Sequence, residues 1–404
     1  MIYIYSFIMN CIAKIAPLFS SHQFFSTQRN LDEVISKIKN PSQPCALFFC
    51  SSAGEYEQAK PIINALKSKY FIHIFFFSTS GTSFADRRGE SVSYSLTPAD
   101  TIHNWQIIFQ KLKPTYTFVV RHELWPAFLN VAKQYSMLIL LSYSESQKPG
   151  VFKKFLLKNF HEIMCIHQRA ASSLDGLSLP ARIKVTGDTK ADRVFERVRK
   201  PLQDLPIVYS TPNLRHLIIG SAWLQDVKVI APAFKEVMVD TKSAWHLSIC
   251  PHDLSPKNLQ LISNYLHSLD LEHSLFSISP TNAQFPCTIV DKLGILADLY
   301  QYANASFVGG ALHHRVHNVL EPAVYGIEIG FGPLFHNSPE ACHLIDERCA
   351  TIINDVASCK IWLKSLMENH INRSQEIIAA AKKLSGGTKN ILNILEIQSH
   401  GLSS

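Results

Sequence analysis

Between Val308 and Pro333 the chain reads VGGALHHRVHNVLEPAVYGIEIGFGP, and this stretch gathers the residue types that a phosphorylated, hydroxyl-rich ligand requires. An apolar run, Ala305 to Val308, ends in Gly309-Gly310, the pattern of a buried strand closing into a tight turn. A polar loop with His313, His314, Arg315, His317 and Asn318 follows, and Val319 to Tyr325 has the spacing of a short helix with Glu321 in its first turn. Glycine at 310 permits close backbone approach, and a helix start offers unpaired N–H groups and partial positive charge to an anion. Glu321 can accept hydrogen bonds from a pair of sugar hydroxyls. The combination predicts a nucleotide-sugar site, with phosphate on the helix start and ribose on Glu321.

A second cluster is S-S-A-G-E, Ser51 to Glu55, just past an apolar strand pattern and opening a helical one. Ser52 and Gly54 free the backbone there, where open α/β sheets bind ligands. Two readings of Glu55 stay open. It is either a general base taking a proton from an acceptor hydroxyl, or a first-turn carboxylate favoured by the helix dipole. His313 and His317 stand four apart, but in a loop without a third-ligand motif, and no D-x-D occurs. No metal and no other cofactor is expected.

These residues need elements to hold them. From Ala46 onward, apolar strand patterns alternate with amphipathic helical ones: 46–50, 71–79, 115–120, 137–144 and 162–168, closing with IKVTGDTKADR (183–193). The run 197–215 holds three prolines and reads as a linker. The alternation then restarts with strands at 216–223, 245–251, 287–292, 305–310, 327–333 and 349–354. Such alternation predicts parallel sheets covered on both faces. The expected fold is α/β, two Rossmann-like domains facing an interdomain cleft, spanning 31–205 and 206–404, the latter including the terminal helix.

A chain of 404 residues with 47% hydrophobic and 18% charged content is globular rather than disordered. Nine cysteines without a C-x-x-C pair, several inside apolar runs, argue for reduced buried thiols. The formal charge of +7 suits anionic partners, yet no long basic run or nucleic-acid motif is present, so a nucleic-acid partner is not expected. The apolar residues 1–30 read as a membrane-associating segment. Residues 1–19 either anchor in the bilayer, lie in its surface or pack on the first domain. Oligomeric state leaves no trace in the sequence.

Gly309-Gly310 followed by H-N-x-L-E-P-A and F-G-P resembles the donor block of the bacterial 3-deoxy-D-manno-octulosonic acid (Kdo) transferases. The resemblance extends over roughly residues 46 to 345 in six ordered blocks. It implies the glycosyltransferase fold called GT-B, an inverting and metal-independent transfer of Kdo from CMP-Kdo to a lipid A precursor, and a place on the cytoplasmic face of the inner membrane. It also implies residue roles. S-x-G-E with Pro61 makes Glu55 the base, and E-L-W-P makes Glu123 a second catalytic carboxylate that orients the acceptor or the sugar and holds the cleft floor. Ser52, Gly54 and, through T-G-D-x-K-x-D, Lys190 become acceptor or sugar contacts; a structural turn is an equal alternative for Lys190. Ser221, Pro251, His252, Gly294, Ile295, Gly310, His317, Asn318 and Glu321 become donor contacts. Departures are Arg121, where relatives are often acidic, Ser144, where many carry arginine, and Glu328, where proline is usual.

Overall fold

The computed structural model describes residues 2, 5–6, 31–38, 42–87, 92–121, 123–198, 214–241, 244–278, 285–368 and 373–395. The membrane-associating segment expected over 1–30 therefore falls almost wholly outside the described residues, as does most of the expected linker. Two compact units divide the chain. One runs to Arg193 and regains the segment from Ser385, and the other is Val194–Leu384.

In the first unit the strands are β1 (Cys45–Cys50), β2 (Phe71–Phe76), β3 (Ser93–Leu96), β4 (Pro114–Val120), β5 (Met137–Tyr143), β6 (Glu162–Cys165) and β7 (Arg182–Val185). They form one sheet in the order β3-β2-β1-β4-β5-β6-β7, every ladder parallel. β1 is buried at all six positions, CALFFC, because helices cover both faces. On one face Phe49, Trp105, Phe109 and Phe128 pack together; on the other lie Phe48, Tyr56, Phe76 and Phe118.

The second unit repeats the plan with β8 (Arg215–Ala222), β9 (Trp245–Pro251), β10 (His273–Leu275), β11 (Cys287–Ile289), β12 (Ala305–Val308), β13 (Glu328–Phe331) and β14 (Thr351–Ile352). Their order is β10-β11-β9-β8-β12-β13-β14, again parallel throughout. The crossover from β8 past β9 to β12 makes β8 the point where strand order reverses, the usual place for a ligand in such a sheet.

Three sequence expectations need correction. First, β3 and β10 were not predicted. Both are short edge strands, SYSL and HSL, with too few apolar residues to register as a periodic run. Second, the terminal helix Gly387–Ile394 belongs to the first unit rather than to 206–404. Ile391, Leu392 and Leu395 join the cluster around Phe48 and Tyr56, and the Asp192 carboxylate accepts the N–H groups of Gly386 and Thr388. The division itself falls inside the helix Thr189–Val198, not in the proline-bearing run. Third, the helix expected over 319–325 is one turn, Leu320–Ala323.

Candidate active site

In the first unit, candidate groups cluster at the carboxyl ends of β1 and β4, which are hydrogen-bonded neighbours. The helix Ala53–Leu66 opens after β1 with Ser52 as its N-cap, whose hydroxyl accepts Glu55 N–H at 3.5 Å. Glu55 reaches back, and its Oε2 accepts both the backbone N–H and the hydroxyl of Ser51, the latter at 2.7 Å. This is a capping box shifted by one residue, with Ser51 before the N-cap as the donor to Glu55, so Glu55 does help to cap its helix. It leaves Oε1 with no hydrogen-bond partner among the described residues. Gly54 is exposed with space beside it: a Cβ there would meet only Ser52 Oγ, at 3.8 Å.

Glu123 follows β4, and its Oε2 accepts the indole N–H of Trp125 at 2.9 Å. Trp125 packs edge-on against Phe49 and Phe77, at 5.4 and 5.1 Å, so it braces Glu123 from an aromatic wall rather than standing free as a platform. Burial, and then the charge of Glu55, push the Glu123 carboxyl above its ordinary range, against hydrogen bonds from Ser51 and Trp125. Two carboxylates with unequal environments are a usual source of acid–base function. The raised value carries a stability consequence. Ionised Glu123 is penalised in the folded state, and the penalty vanishes once the group is protonated in both states. Glu123→Gln is therefore expected to raise the melting temperature at pH 7, with the gain shrinking as pH falls below the ordinary carboxylate range. A scan across pH checks this.

Arg121 sits at positive φ, 59°, with its N–H on Leu141 O. Its guanidinium lies 3.7 Å from Asp188 Oδ2. Asp188 Oδ1 also accepts from Gln58 Nε2 at 2.6 Å and from Lys190 N–H at 2.9 Å. The positive charge in place of an acidic residue is thus balanced by a buried aspartate. Asp188 stands in the T-G-D-x-K-x-D block, but its partner Gln58 was not singled out from sequence, although Gln58 lies three residues beyond Glu55 and hence on the same helix face. The T-G-D-T-K-A-D run is largely structural: Asp188 ties it to Gln58, and Asp192 fastens the terminal helix. Lys190 contributes a backbone donor to that arrangement.

In the second unit the candidates gather at the carboxyl ends of β8, β9 and β12. Ser221 takes positive φ, 52°, where the β8–β9 register shifts between Ile219 and Ala222. Pro251 ends β9, and the N–H of the exposed His252 donates to Ala222 O at 2.9 Å. Gly310 is left-handed at φ 96°, and a Cβ there would fall 2.3 Å from Arg315 O, so only glycine fits. His252 and His317 stack with ring centres 4.6 Å apart, and Trp223 stacks on His252 at 4.8 Å. Burial first, then His252, Arg315, His313 and His314, push His317 down to about 4.

Asn318 Oδ1 accepts Leu320 N–H at 3.3 Å. The helix expected to receive a phosphate is thus a single turn whose first donors are partly used, and its dipole is correspondingly small. The N–H groups of Gly309 and Gly310 are likewise used, by Gly220 O and Asp226 Oδ2, which leaves the side chains of these loops as the groups open to a ligand. Glu321, in that turn, lies 3.9 Å from the Arg197 guanidinium. Gly294, exposed and at φ 85°, precedes the buried Ile295, whose carbonyl accepts the N–H groups of Asp298 and Leu299. Among the described residues no group of three or more His, Cys, Asp or Glu is arranged to hold a metal ion.

Asp226 was missed from sequence. Fully buried, its Oδ2 accepts the N–H groups of Trp223, at 2.8 Å, and Gly310, at 3.0 Å, so it pins the β8 loop to the glycine turn. Its bond to Trp223 is local, but nothing in the sequence signals the tie to Gly310, which lies 84 positions away. Glu328 also gains an explanation: Arg373 pairs with it through two nitrogens and with Arg348 O through a third at 2.8 Å.

Residues 28–193 match the family model of the 3-deoxy-D-manno-octulosonic-acid transferases. A 3-deoxy-D-manno-octulosonic acid transferase of Rickettsia bellii is 23% identical over 348 residues, covering 81% of this chain and 80% of the relative. One from Chlamydia trachomatis serovar A is 24% identical, covering 83% of this chain and 80% of its own. Among solved structures, a UDP-N-acetylglucosamine 2-epimerase from Rickettsia bellii superposes with a TM-score of 0.58 at 12% identity, covering 88% of this chain and 96% of that one. That likeness shows a shared fold.

Proposed function

We propose that this chain, which is similar to the 3-deoxy-D-manno-octulosonic acid transferases, is a glycosyltransferase that moves Kdo from CMP-Kdo to a hydroxyl of a lipid A precursor. The observation that carries the reading is the carboxylate pair Glu55 and Glu123 at the ends of β1 and β4, inside the segment that matches the family. Glu55 takes the proton from the acceptor hydroxyl, the new C–O bond forms at the anomeric carbon with inversion, and the bond to the CMP phosphate breaks. Glu123, held by Trp125, keeps a second carboxylate beside the base. On the second unit, the side chains of His252, His317 and Asn318 offer hydrogen-bond donors to the departing phosphate, Gly310 gives it room, and no metal is required. Glu321 holds the ribose, in exchange for or alongside Arg197. Ser221 and Pro251 shape the phosphate loops, and the backbone at Gly294 and Ile295 meets the base.

Incubating the purified chain with CMP-Kdo and a tetra-acylated lipid A precursor, followed by mass analysis of the lipid, tests this. A gain of Kdo supports the reading; CMP-Kdo consumed only by water, or no reaction, overturns it. Stabilisation by CMP-Kdo but not by UDP-sugars separates it from the epimerase chemistry found on the same fold.

The acceptor is a membrane lipid, and the helix Val151–Leu157 supports contact with an anionic bilayer such as the cytoplasmic face of the inner membrane. Val151, Phe152 and Phe155 are 89%, 61% and 43% exposed, and Lys148, Lys154 and Lys158 lie near them. Lys153 is engaged by Glu145 and lies over the Tyr143 ring. No helix among the described residues is long and apolar enough to cross a membrane. Burying one phenylalanine contributes about 1.5–3 kcal/mol, so Phe152→Ser should weaken partitioning onto anionic vesicles by about tenfold or more. Vesicle co-sedimentation at fixed salt measures it, and an unchanged partition would remove this helix from the membrane contact.

A further inference from the structure

Trp223 carries no assigned role, yet it touches three imidazoles of the donor loops. Its ring stacks on His252 at 4.8 Å and 25°, and meets His313 edge-on at 5.1 Å. Its indole N–H donates to His317 Nε2 at 3.3 Å. Its backbone N–H is held by the same Asp226 oxygen that holds Gly310, at 2.8 and 3.0 Å. His317 in turn packs on Gly310, where a Cβ would fall 2.9 Å from His317 Cδ2. Asp226, Trp223, His317 and Gly310 therefore close a ring of contacts joining the β8 and β12 loops.

The chemistry of that ring restricts His317. An indole nitrogen only donates, so the His317 Nε2 that faces it must offer a lone pair. A neutral imidazole with an acceptor Nε2 carries its proton on Nδ1. We propose that Trp223 is a positioning residue that locks His317 in the Nδ1–H tautomer, so that His317 meets an anionic oxygen of the donor as a neutral hydrogen-bond donor and not as a cation.

The surroundings agree. Burial above all, then His252 from the β9 loop and Arg315, His313 and His314 on its own loop, oppose a second proton, and His317 is pushed down to about 4. Asp253, beside His252, is exposed and acts on that imidazole. In neutral solution, burial, the hydrogen bond from Trp223 and the Arg315 guanidinium thus favour one protonation state. The ligand class is a phosphate or carboxylate oxygen of a nucleotide-activated acidic sugar, and this part rests on the transfer reading above.

Trp223→Phe keeps an aromatic ring against His252 and deletes only the indole donor. Imidazole nitrogen NMR of the ligand-free chain is the first readout. Wild type should show His317 with an acceptor-type Nε2 and a protonated Nδ1, and the variant should show a mixture of tautomers. CMP titration calorimetry at pH 7 is the second, with a three- to tenfold weaker affinity expected for the variant, the worth of one hydrogen bond. Wild-type His317 protonated at Nε2 overturns the lock without needing the variant to fold, and so does a variant whose tautomer is unchanged. A wild-type chain that shows the expected tautomer but binds no CMP overturns the donor role and the donor reading together.

Discussion

Glu55→Gln is expected to lower Kdo transfer by about 10²–10⁴-fold, the usual worth of a general base, while leaving CMP affinity and melting temperature close to wild type. Glutamine keeps an amide oxygen that can accept from Ser51, so the helix start survives; what disappears is the ability to take a proton. Glu55→Ala removes both. It should add a loss of about 0.5–2 kcal/mol in stability, because the cap bonds from Ser51 go with it. The pair of variants separates the two roles that the geometry assigns to one side chain. Transfer rates with saturating CMP-Kdo, read beside thermal unfolding, are the measurements. If the glutamine variant transfers at more than about a tenth of the wild-type rate, Glu55 only caps the helix, and Glu123, whose carboxyl is raised by burial, becomes the candidate base.

Gly310→Ala should have the second largest effect, through backbone rather than proton chemistry. Its φ of 96° is costly for alanine, on the order of 1–3 kcal/mol. In addition the new Cβ would lie 2.3 Å from Arg315 O and 2.9 Å from His317 Cδ2, so the loop must move. Displacing that loop also pulls on the Gly310 N–H bond to Asp226. CMP affinity is expected to fall by about 100-fold or more, a loss of some 2.7 kcal/mol, with a lowered melting temperature. Gly176→Ala is the control: its φ of 74° carries the same kind of strain, but nothing lies within 4 Å of a Cβ there. Calorimetric titration of both variants with CMP decides the matter. Equal, small losses in the two would mean that the glycine turn at 310 does not approach a ligand.

How legible these features were in the sequence follows the range of the physics involved. The central strands β1, β2, β4, β5, β8, β9 and β12 are buried apolar runs bounded by turn signals, so the parallel two-sheet fold could be read directly. The edge strands β3 and β10 could not, since edge positions are short and only partly apolar. Glu55 was visible as a carboxylate opening a helix after a strand, and its two competing readings turn out to describe one residue that certainly caps. The candidate loops of the second unit were visible as glycines, histidines and Glu321. The helix that was to receive the phosphate was overestimated, because LEPA continues only one turn before Gly326 turns the chain at φ 69°.

Residue types and their local spacing, then, determined the alternating α/β plan, the strand ends that carry the candidate residues, and the family that the chain resembles. Tertiary structure alone decided which distant groups meet. It paired Arg121 with Asp188, Glu328 with Arg373, and Trp223 with His317, and it sent the terminal helix back to the first unit through Asp192. The reason is one of range. Periodicity and capping act over a few residues and leave their mark in order along the chain. A buried charge or an imidazole tautomer, in contrast, is set by partners that only the folded packing brings within about 3 Å.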